Sequence, residues 1–221
     1  MDRKLNSTIK AVIFDMDGVL IDSEPLWRKA EIETFNELGF DFTDEMCRQT
    51  MGMRTKEVIE YWHNVLQWKN KSIDEVTQIL LDKIHQSIQE EGVPMEGVHD
   101  IIDYFQKLGL PLAMASSSPY SLIDLVLEKL AIKHAFKVVE SAEFLPYGKP
   151  HPQIFLNAAG KLNVNPHSCM VIEDSFHGMI AGKAANMFTV VIPEKEKFDT
   201  GKWCVADIKA HSLKDLLKIS F

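Results

Sequence analysis

The pattern of apolar and polar positions is sharpest near the start of the chain. Residues 11–14 form an uninterrupted apolar run, Ala-Val-Ile-Phe, and Asp15 and Asp17 come immediately after it. Such a short run predicts a strand buried on both faces, as at the centre of a parallel sheet. Because ligands of these sheets bind beyond the carboxyl ends of the strands, the run should deliver both acids to the ligand-binding edge.

Residues 24–92 have the spacing of helices and contain no strand pattern. Apolar residues recur there every three or four positions, Gly39 and Gly92 are suitable terminators, and Ser72 with Glu75 forms a capping box. An all-helical unit is therefore inserted between the first strand and the rest of the chain. The predicted helices are 26–38, 43–50, 55–66 and 73–91.

From Val93 onward, short apolar strands alternate with amphipathic helices. Pro111 is expected at the first residue of its strand, where a missing backbone donor costs little, and Ser118 is expected to cap the helix that Pro119 begins. These repeated units predict an α/β protein with a doubly wound parallel sheet. The predicted strands are 110–115, 136–139, 168–172 and 188–192, and the predicted helices are 97–108, 118–130, 151–161, 175–185 and 212–218.

Composition narrows the class of protein. The chain is 46% hydrophobic, has no run of 18 apolar residues, and begins with a polar stretch, Met1–Lys10, that lacks the apolar segment of a secretory signal. We therefore expect a cytoplasmic protein without a membrane span. A monomer is also expected. The net charge of -8 argues against nucleic acid as a partner, because binding it requires a basic face. Three cysteines that lack a C-x-x-C spacing, Cys47, Cys169 and Cys204, are expected to be reduced and semi-buried.

Asp15 and Asp17 would repel each other at the edge of a sheet unless a cation lay between them. The residues favour Mg²⁺ in this place, with one carboxylate attacking phosphorus. A calcium-binding EF-hand loop is disfavoured, because its fifth and twelfth positions need oxygen ligands and are Val19 and Leu26 here. A purely structural turn remains an alternative for these two acids alone.

Three later strand ends carry polar residues of a matching kind. Residues 116–118 are three serines before a helix, which suit either an anion site or a helix cap. Lys149 stands between Gly148 and Pro150, and the pair Glu173-Asp174 follows the strand that ends at 172. Taken singly, the lysine could be merely solvated and the acids could merely cap a helix. Because right-handed crossovers bring all these strand ends to one edge, together they predict a phosphoryl-transfer site.

The order and spacing of these residues resemble the four motifs of the haloacid dehalogenase (HAD) superfamily over essentially the whole chain. The matching residues are Asp15-x-Asp17-Gly18-Val19, Ser116, Lys149-Pro150 and Glu173-Asp174. The helical insertion is similar to the cap of the β-phosphoglucomutase-like branch, and the sequence around the motifs is similar to bacterial phosphatases of hexitol phosphates and 2-deoxyglucose 6-phosphate. The resemblance implies a Rossmann-like core domain, residues 1–23 and 93–221, and an all-helical cap domain, residues 24–92.

The resemblance also implies roles for the acids after the first strand and for the phosphate ligands. Asp15 would be the nucleophile that forms an aspartyl phosphate, and Asp17 would protonate the leaving oxygen and later help deprotonate water. Ser116, the N–H of Ser117 and Lys149 would bind the phosphoryl oxygens. An acid at position 17 also separates the chain from the dehalogenases of the superfamily, which lack one there.

The implied cofactor is Mg²⁺. Asp15, the backbone carbonyl of Asp17, and Asp174 would bind the ion, and Glu173 would bind it directly or through water. Oxygen ligands of this kind, completed by water and a substrate phosphate, suit magnesium.

The cap is expected to determine the substrate. Trp27 occupies the position at which sugar phosphomutases of this branch carry a histidine, and an indole cannot shuttle a proton, so the sequence favours hydrolysis. Gly52 and Arg54 resemble a cap loop that faces the active site, where Arg54 could contact a hydroxyl or a second charge. The alternatives are that Trp27 belongs only to the core of the cap and that Arg54 is simply exposed.

The leading functional hypothesis is a Mg²⁺-dependent phosphatase of small phosphorylated metabolites, with sugar or sugar-alcohol phosphates as the expected substrates. One alternative is an isomerase, a β-phosphoglucomutase, in which the phosphorylated Asp15 would survive to rephosphorylate an intermediate. A second alternative is a non-catalytic phosphosugar-binding module, which the complete set of motif residues disfavours.

Overall fold

The computed structural model describes residues 9–219, which form a parallel sheet with helices on both faces and a helical insertion. The strands are β1 (Ala11–Phe14), β2 (Leu112–Ser116), β3 (Phe136–Ser141), β4 (Cys169–Glu173), β5 (Phe188–Val191) and β6 (Ile208–Lys209). The helices are α1 (Glu24–Glu37), α2 (Asp44–Cys47), α3 (Thr55–Leu66), α4 (Ile73–Glu91), α5 (Val98–Lys107), α6 (Tyr120–Lys129), α7 (Gln153–Leu162), α8 (Phe176–Ala184) and α9 (Leu213–Leu216).

The sheet has the order β3-β2-β1-β4-β5-β6, and every pair of neighbouring strands is parallel. Phe14, the last residue of β1, pairs with Met114 on one side and Ile172 on the other. Asp15 therefore follows the central strand at the same level as Ala115 and Glu173. This register brings the carboxyl ends of β2, β1 and β4 together at one edge of the sheet.

Both faces of β1 are covered. Val12 and Phe14 belong to a core that includes side chains of α5 and α6, whereas Ala11 and Ile13 pack in a second core with side chains of α7 and α8. A continuous apolar run is what a strand needs when helices lie on both of its faces. The predicted α/β fold with a doubly wound parallel sheet is confirmed.

The predicted helical insertion is also observed. Helices α1 to α4 lie in sequence between β1 and α5, and α4 packs against both α1 and α3. Their buried aromatic and aliphatic side chains, such as Phe35, Trp62 and Leu80, are continuous with the core on one face of the sheet. The division into domains at residues 24 and 92 stays a prediction.

Two expectations about local structure around the insertion and β2 differ from the observed elements. The predicted helix over 43–50 is an α-helix for only four residues, and the chain then tightens into turns in which the N–H groups of Gln49 and Thr50 donate to the carbonyls of Met46 and Cys47, three residues earlier. β2 begins one residue after Pro111 rather than at it, and the Pro111 carbonyl accepts from the N–H of Val12.

Two further differences concern a helix start and a missed strand. Ser118 was expected to cap α6, but Pro119 occupies the N-cap position and the Ser118 hydroxyl donates to Asp17 instead. Strand β6 was not predicted, since a strand of two residues leaves no alternation to recognise.

The structure bears on the expectations about membrane spans, cysteines and the start of the chain. Among residues 9–219, no helix is long and apolar enough to cross a bilayer. Cys47 and Cys169 are buried free thiols as expected, whereas Cys204 is exposed. Most of the polar stretch Met1–Lys10 lies outside the described residues.

Candidate active site

The turn after β1 fixes the two acids of the first motif. The N–H of Asp15 continues the sheet by donating to the Ile172 carbonyl at 2.9 Å, and the carbonyl of Met16 then accepts from the N–H groups of Leu20 and Ile21. Gly18, at φ +68°, occupies the left-handed region that this tight turn requires. These hydrogen bonds and the conformation of Gly18 define the backbone that carries the two acids.

Lys149 connects the motifs through its ammonium group, which is buried. Its Nζ donates to Asp15 Oδ1 at 2.8 Å, to Glu173 Oε1 at 2.6 Å and to the Ala115 carbonyl at 3.1 Å. All three hydrogens of the ammonium thus have acceptors, one at the end of each of the three central strands. The structure brings together residues that are 134 positions apart in the sequence.

Glu173 is held by its own backbone as well as by Lys149. Its Oε2 accepts from the N–H groups of Asp174 and Ser175, each at 3.1 Å, and from the Ser175 hydroxyl at 3.0 Å. Ser175 in turn caps α8 by accepting from the N–H of Gly178. Oε2 is therefore saturated, and only Oε1 keeps a lone pair beyond its bond to Lys149.

Asp174 differs from the other acids because one of its oxygens lacks a partner. Oδ2 is buried, and no donor among residues 9–219 hydrogen-bonds to it. A Cβ on Gly18 would lie only 2.1 Å from this oxygen, so the carboxylate needs a glycine there. An orphaned buried carboxylate oxygen is costly in free energy, and a bound cation would satisfy it.

The electrostatics of the buried cluster favour the binding of a cation. Burial, followed by repulsion from Glu173, raises the pKa of Asp15 to about 7. The pKa of Asp174 lies well above its usual range through burial and the nearby Glu24 and Glu173 carboxylates. Burial alone would lower the pKa of Lys149, but the attraction of Asp15 and Glu173 raises it above the ordinary value.

The chemistry of the donor set fits Mg²⁺. Asp15, Glu173 and Asp174 each offer a carboxylate oxygen, and these atoms lie within 4.8 Å of one another. Three ionised carboxylates and one ammonium carry a net charge of two negative units, which a divalent cation would neutralise. Hard oxygen ligands are those that magnesium prefers.

Asp17 is fixed by three side-chain donors. Its Oδ1 accepts from the Ser23 hydroxyl at 2.6 Å and from Trp27 Nε1 at 2.9 Å, and its Oδ2 accepts from the Ser118 hydroxyl at 2.8 Å. Trp27 was predicted as a cap residue, but its bond to Asp17 was not foreseen. Ser23 and Ser118 were missed as partners of this acid, although Ser118 directly follows the motif residues 116 and 117 and Ser23 lies four residues after Val19.

The two serines predicted to hold phosphate lie at the end of β2. Ser116 is the last residue of the strand, is fully buried, and accepts at its Oγ from the N–H of Ser118. Ser117 follows it in the loop before α6, and its hydroxyl donates to the Gly52 carbonyl at 3.0 Å. Both serines therefore stand beside Asp15 and Asp17 at the same edge of the sheet.

Gly52 lies where the insertion meets the sheet. Its φ is +83°, and a Cβ at this position would approach Ser175 Oγ to 2.7 Å. Together with its bond to Ser117, this close approach places Gly52 next to two strand-end loops. Gly52 thus lies opposite the strand ends, and its role in substrate specificity stays a prediction.

Arg54 is engaged with the protein itself. Its Nη1 donates to the carbonyls of Ala142 at 3.2 Å and Leu145 at 2.6 Å, and its Nη2 pairs with Glu57 at 2.5 Å. Glu57 also accepts from the N–H of Gly148, next to Lys149. These contacts give Arg54 a role in joining α3 to the loop after β3, and a direct substrate contact stays a prediction.

A cleft between the insertion and the strand ends opens onto the acids. Its walls contain two carboxylates of α1 that sequence reasoning did not single out, Glu24 and Glu31. Burial, followed by repulsion from Asp17, raises the pKa of Glu24 to about 8. The side chains that line the cleft include Asp15, Asp17, Glu24, Trp27, Arg28, Glu31, Arg48, Thr50, Ser117, Ser118 and Asp174.

One ion-pair network ties this wall of the cleft to the loop after β5. Glu194 accepts from Arg28 Nη1 at 2.6 Å with Oε1 and from Arg48 Nη1 at 2.7 Å with Oε2. All three side chains are less than a fifth exposed, so the network is shielded from bulk solvent. No sequence motif marks these residues, which explains why they were missed.

Comparison with known families decides where the chain belongs. A model of the haloacid dehalogenase-like hydrolases matches residues 12–192. The chain belongs to this family. The predictions of a haloacid dehalogenase fold and of a hydrolase are therefore confirmed, and the matched residues include all four motifs.

Curated relatives in this family carry phosphatase names. Hexitol phosphatase B of Escherichia coli is 39% identical over 209 residues, which are 94% of either chain. The phosphorylated carbohydrates phosphatase of Thermotoga maritima is 30% identical over 179 residues, or 81% of this chain and 82% of that protein.

Solved structures share the fold. CbbY of Rhodobacter sphaeroides, in complex with phosphate, is similar with a TM-score of 0.83 and 25% identity, and the match covers 94% of this chain and 96% of that one. A β-phosphoglucomutase of Clostridium difficile has a TM-score of 0.81 at 24% identity over 94% and 93% of the two chains. The second similarity concerns the fold alone.

Proposed function

We propose that the protein is a Mg²⁺-dependent phosphatase that hydrolyses small phosphorylated sugars or sugar alcohols through an aspartyl-phosphate intermediate. The observation that carries the proposal is the Lys149 ammonium between Asp15 and Glu173, beside the orphaned oxygen of Asp174. An oxygen nucleophile, a cation donor and a cluster of magnesium ligands thus meet at one point. Phosphoryl transfer needs positioning and charge neutralisation of this kind.

Asp15 acts as the nucleophile in this proposal. Lys149 holds its Oδ1 and thereby orients the carboxylate toward the cleft. When the carboxylate attacks phosphorus, a new oxygen–phosphorus bond forms and the ester oxygen leaves. The reaction is divided into two steps, each with a lower barrier than direct attack by water.

Asp17 supplies and removes the proton. It lies two residues beyond Asp15, and the hydroxyls of Ser23 and Ser118 and the Trp27 indole fix its orientation. Protonated Asp17 gives its proton to the leaving ester oxygen, and the resulting carboxylate then accepts a proton from the water that attacks the aspartyl phosphate.

The remaining groups bind the phosphoryl oxygens and the ion. The Ser116 hydroxyl and the Ser117 N–H donate to the phosphoryl oxygens. Lys149 attracts these oxygens by its charge and exchanges one of its three present acceptors for a phosphoryl oxygen when the ester binds. Asp15, the Asp17 carbonyl and Asp174 would hold Mg²⁺. Glu173 positions Lys149 through Oε1, and the remaining lone pair of that oxygen would reach the ion directly or through water. When bound, the ion offsets the negative charge that repels an anionic ester.

The relatives support a sugar or sugar-alcohol phosphate as the substrate class. Two of them are named for hexitol phosphates and for phosphorylated carbohydrates. The leaving alcohol would occupy the cleft below α1, where carboxylates, hydroxyls and Trp27 provide a polar wall. We also propose that residues 24–92 act as a cap that opens and closes over this cleft and excludes water during the first step.

A mutase is the second candidate, since the fold is shared with β-phosphoglucomutases. Trp27 argues against it, because its indole donates to Asp17 and has no second protonation state with which to relay a proton. A mutase would also require the aspartyl phosphate to survive attack by water.

The test compares hydrolysis with isomerisation in one purified preparation. We expect Mg²⁺-dependent release of phosphate from sorbitol 6-phosphate, abolished by chelation of the metal and by Asp15→Asn. Conversion of glucose 1-phosphate to glucose 6-phosphate without release of phosphate would instead establish the mutase. Binding of sugar phosphates without either reaction would establish a binding module.

A further inference from the structure

Glu31 is a buried acid that the proposed reaction does not use. It lies in the middle of α1 and lines the same cleft as Asp15 and Asp17. Glu31 is only 7% exposed. Its Oε2 is buried, and none of the described residues hydrogen-bonds to it. A carboxyl group in such a place lowers the stability of the protein unless another molecule completes its bonding.

Glu31 lies one helical turn away from the residue of α1 that contacts the reacting end of the cleft. Trp27, four residues earlier on α1, donates to Asp17, the proposed acid for the leaving oxygen. Residues four apart share one face of a helix and are separated by about 6 Å along its axis. Asp17 marks the position of the ester oxygen, and Glu31 lies one helical turn beyond Trp27, which contacts Asp17. More distant atoms of the leaving alcohol would lie beside Glu31.

The environment of Glu31 favours a neutral partner over a cation. Burial raises its pKa to about 7, against the opposite effects of the Cys47 thiol and the Arg28 guanidinium. The carboxyl group is thus present in both protonation states near neutral pH. A hydroxyl group can donate to the ionised form and also accept from the neutral form, so it suits either state.

We propose that Glu31 is a specificity-determining residue that hydrogen-bonds a hydroxyl of the leaving alcohol, several carbons from the ester oxygen. The inference rests on the proposed phosphatase function and narrows its substrates to polyhydroxylated phosphate monoesters. An apolar alcohol should bind poorly in this place for two reasons. It supplies no donor to the unpaired Oε2 of Glu31, and it excludes water from the carboxyl group.

The experiment compares two esters that differ only in their hydroxyl groups. Sorbitol 6-phosphate and n-hexyl phosphate have six-carbon alcohols, and both are assayed with wild-type protein, Glu31→Leu and Glu31→Gln. We expect Glu31→Leu to lower kcat/KM for sorbitol 6-phosphate by about 10- to 100-fold, as loss of a hydrogen bond to a buried carboxyl group would. For n-hexyl phosphate its kcat/KM should stay within about twofold or rise. Glu31→Gln keeps an acceptor oxygen, so its kcat/KM for sorbitol 6-phosphate should lie between those of the wild type and Glu31→Leu.

Glu33→Leu is the matched control, because Glu33 lies on the same helix with an exposed side chain. Its kinetics should equal those of the wild type, and thermal unfolding should show that every variant is folded. Equal losses on both esters in Glu31→Leu, or no loss on either, would overturn the inference while the phosphatase stands. If wild-type protein releases phosphate from neither ester, the proposed function itself fails, and the inference fails with it.

Discussion

The indole Nε1 of Trp27 donates a 2.9 Å hydrogen bond to Oδ1 of Asp17. This bond runs from the first helix of the insertion to the second acid of the first motif. Since an indole N–H can donate but cannot accept, Trp27 fixes the direction in which the Asp17 carboxylate points. Trp27 thus lines the cleft and also orients the acid that faces it.

Removal of the indole donor should impair the protonation of the leaving group. Trp27→Phe keeps an aromatic ring and loses the bond to Asp17, so we expect kcat for sorbitol 6-phosphate to fall about tenfold. The loss should be much smaller for p-nitrophenyl phosphate, because nitrophenolate leaves without a proton. Ser118→Ala, which removes another donor to Asp17, should behave in the same way. Equal losses on both substrates would show that these residues act elsewhere.

Lys149 should be needed for both activity and stability. Lys149→Met leaves the buried carboxylates of Asp15 and Glu173 without their shared partner, which costs about 3–5 kcal/mol in the free energy of unfolding. The kcat should fall at least about a hundredfold. Urea denaturation without metal and a phosphate-release assay measure the two effects. Lys137→Met, at an exposed position of β3, is the control, and near-normal turnover in Lys149→Met would contradict the assignment.

Binding of Mg²⁺ should depend on Asp174. The buried Oδ2 has no partner among the described residues, so the ion should stabilise the wild-type protein by mass action and raise its melting temperature. In Asp174→Asn the amide retains the shape and loses the charge, and the Mg²⁺-dependent rise in melting temperature should largely disappear. A rise equal to that of the wild type would show that the ion binds elsewhere.

The stability of the protein should depend on pH through Glu31. Its pKa is about 7 in the folded protein and 4.5 when unperturbed, chiefly because burial disfavours the ionised form. The folded state therefore binds the proton of Glu31 more tightly than the unfolded state does. The stability contributed by this proton is complete below pH 4.5 and is lost as the pH rises to about 7. The free energy of unfolding should fall over that window by up to about 3 kcal/mol.

Glu31→Gln isolates this effect because its amide does not titrate. Relative to the wild type, the variant should gain stability between pH 5 and pH 8, as measured by urea denaturation at each pH. Glu33→Gln, on the exposed face of α1, should show no such gain. A constant difference between Glu31→Gln and wild type across the range would contradict the burial of an ionisable carboxyl group.

The sequence predicts the sheet and the strand-end chemistry well for a physical reason. A strand buried on both faces must be continuously apolar, so the end of the run at Phe14 marks where Asp15 emerges. The motif residues stand at fixed positions relative to such ends, and their convergence follows from the parallel topology. Periodicity also located the four helices before α5, although it overestimated the length of α2.

The partners of the motif residues could not be predicted in this way. The bond from Ser118 to Asp17 spans 101 positions, and the pairing of Glu194 with Arg28 spans 166. Such contacts depend on how the insertion sits on the sheet, which local patterns do not determine. Glu31 was overlooked because an acid in an amphipathic helix is normally exposed, and only the packing of α1 shows that this one is buried.

The central claim is that Asp15 becomes phosphorylated, and a trapping experiment with Asp17→Asn tests it most directly. With p-nitrophenyl phosphate the first step needs no acid, whereas hydrolysis of the intermediate loses the group that accepts a proton from water. After acid quenching, we predict a burst of nitrophenolate equal to the enzyme concentration and one phosphoryl group on the peptide that contains Asp15. A phosphoryl group on another residue, or sustained phosphate release by Asp15→Asn, would contradict the account.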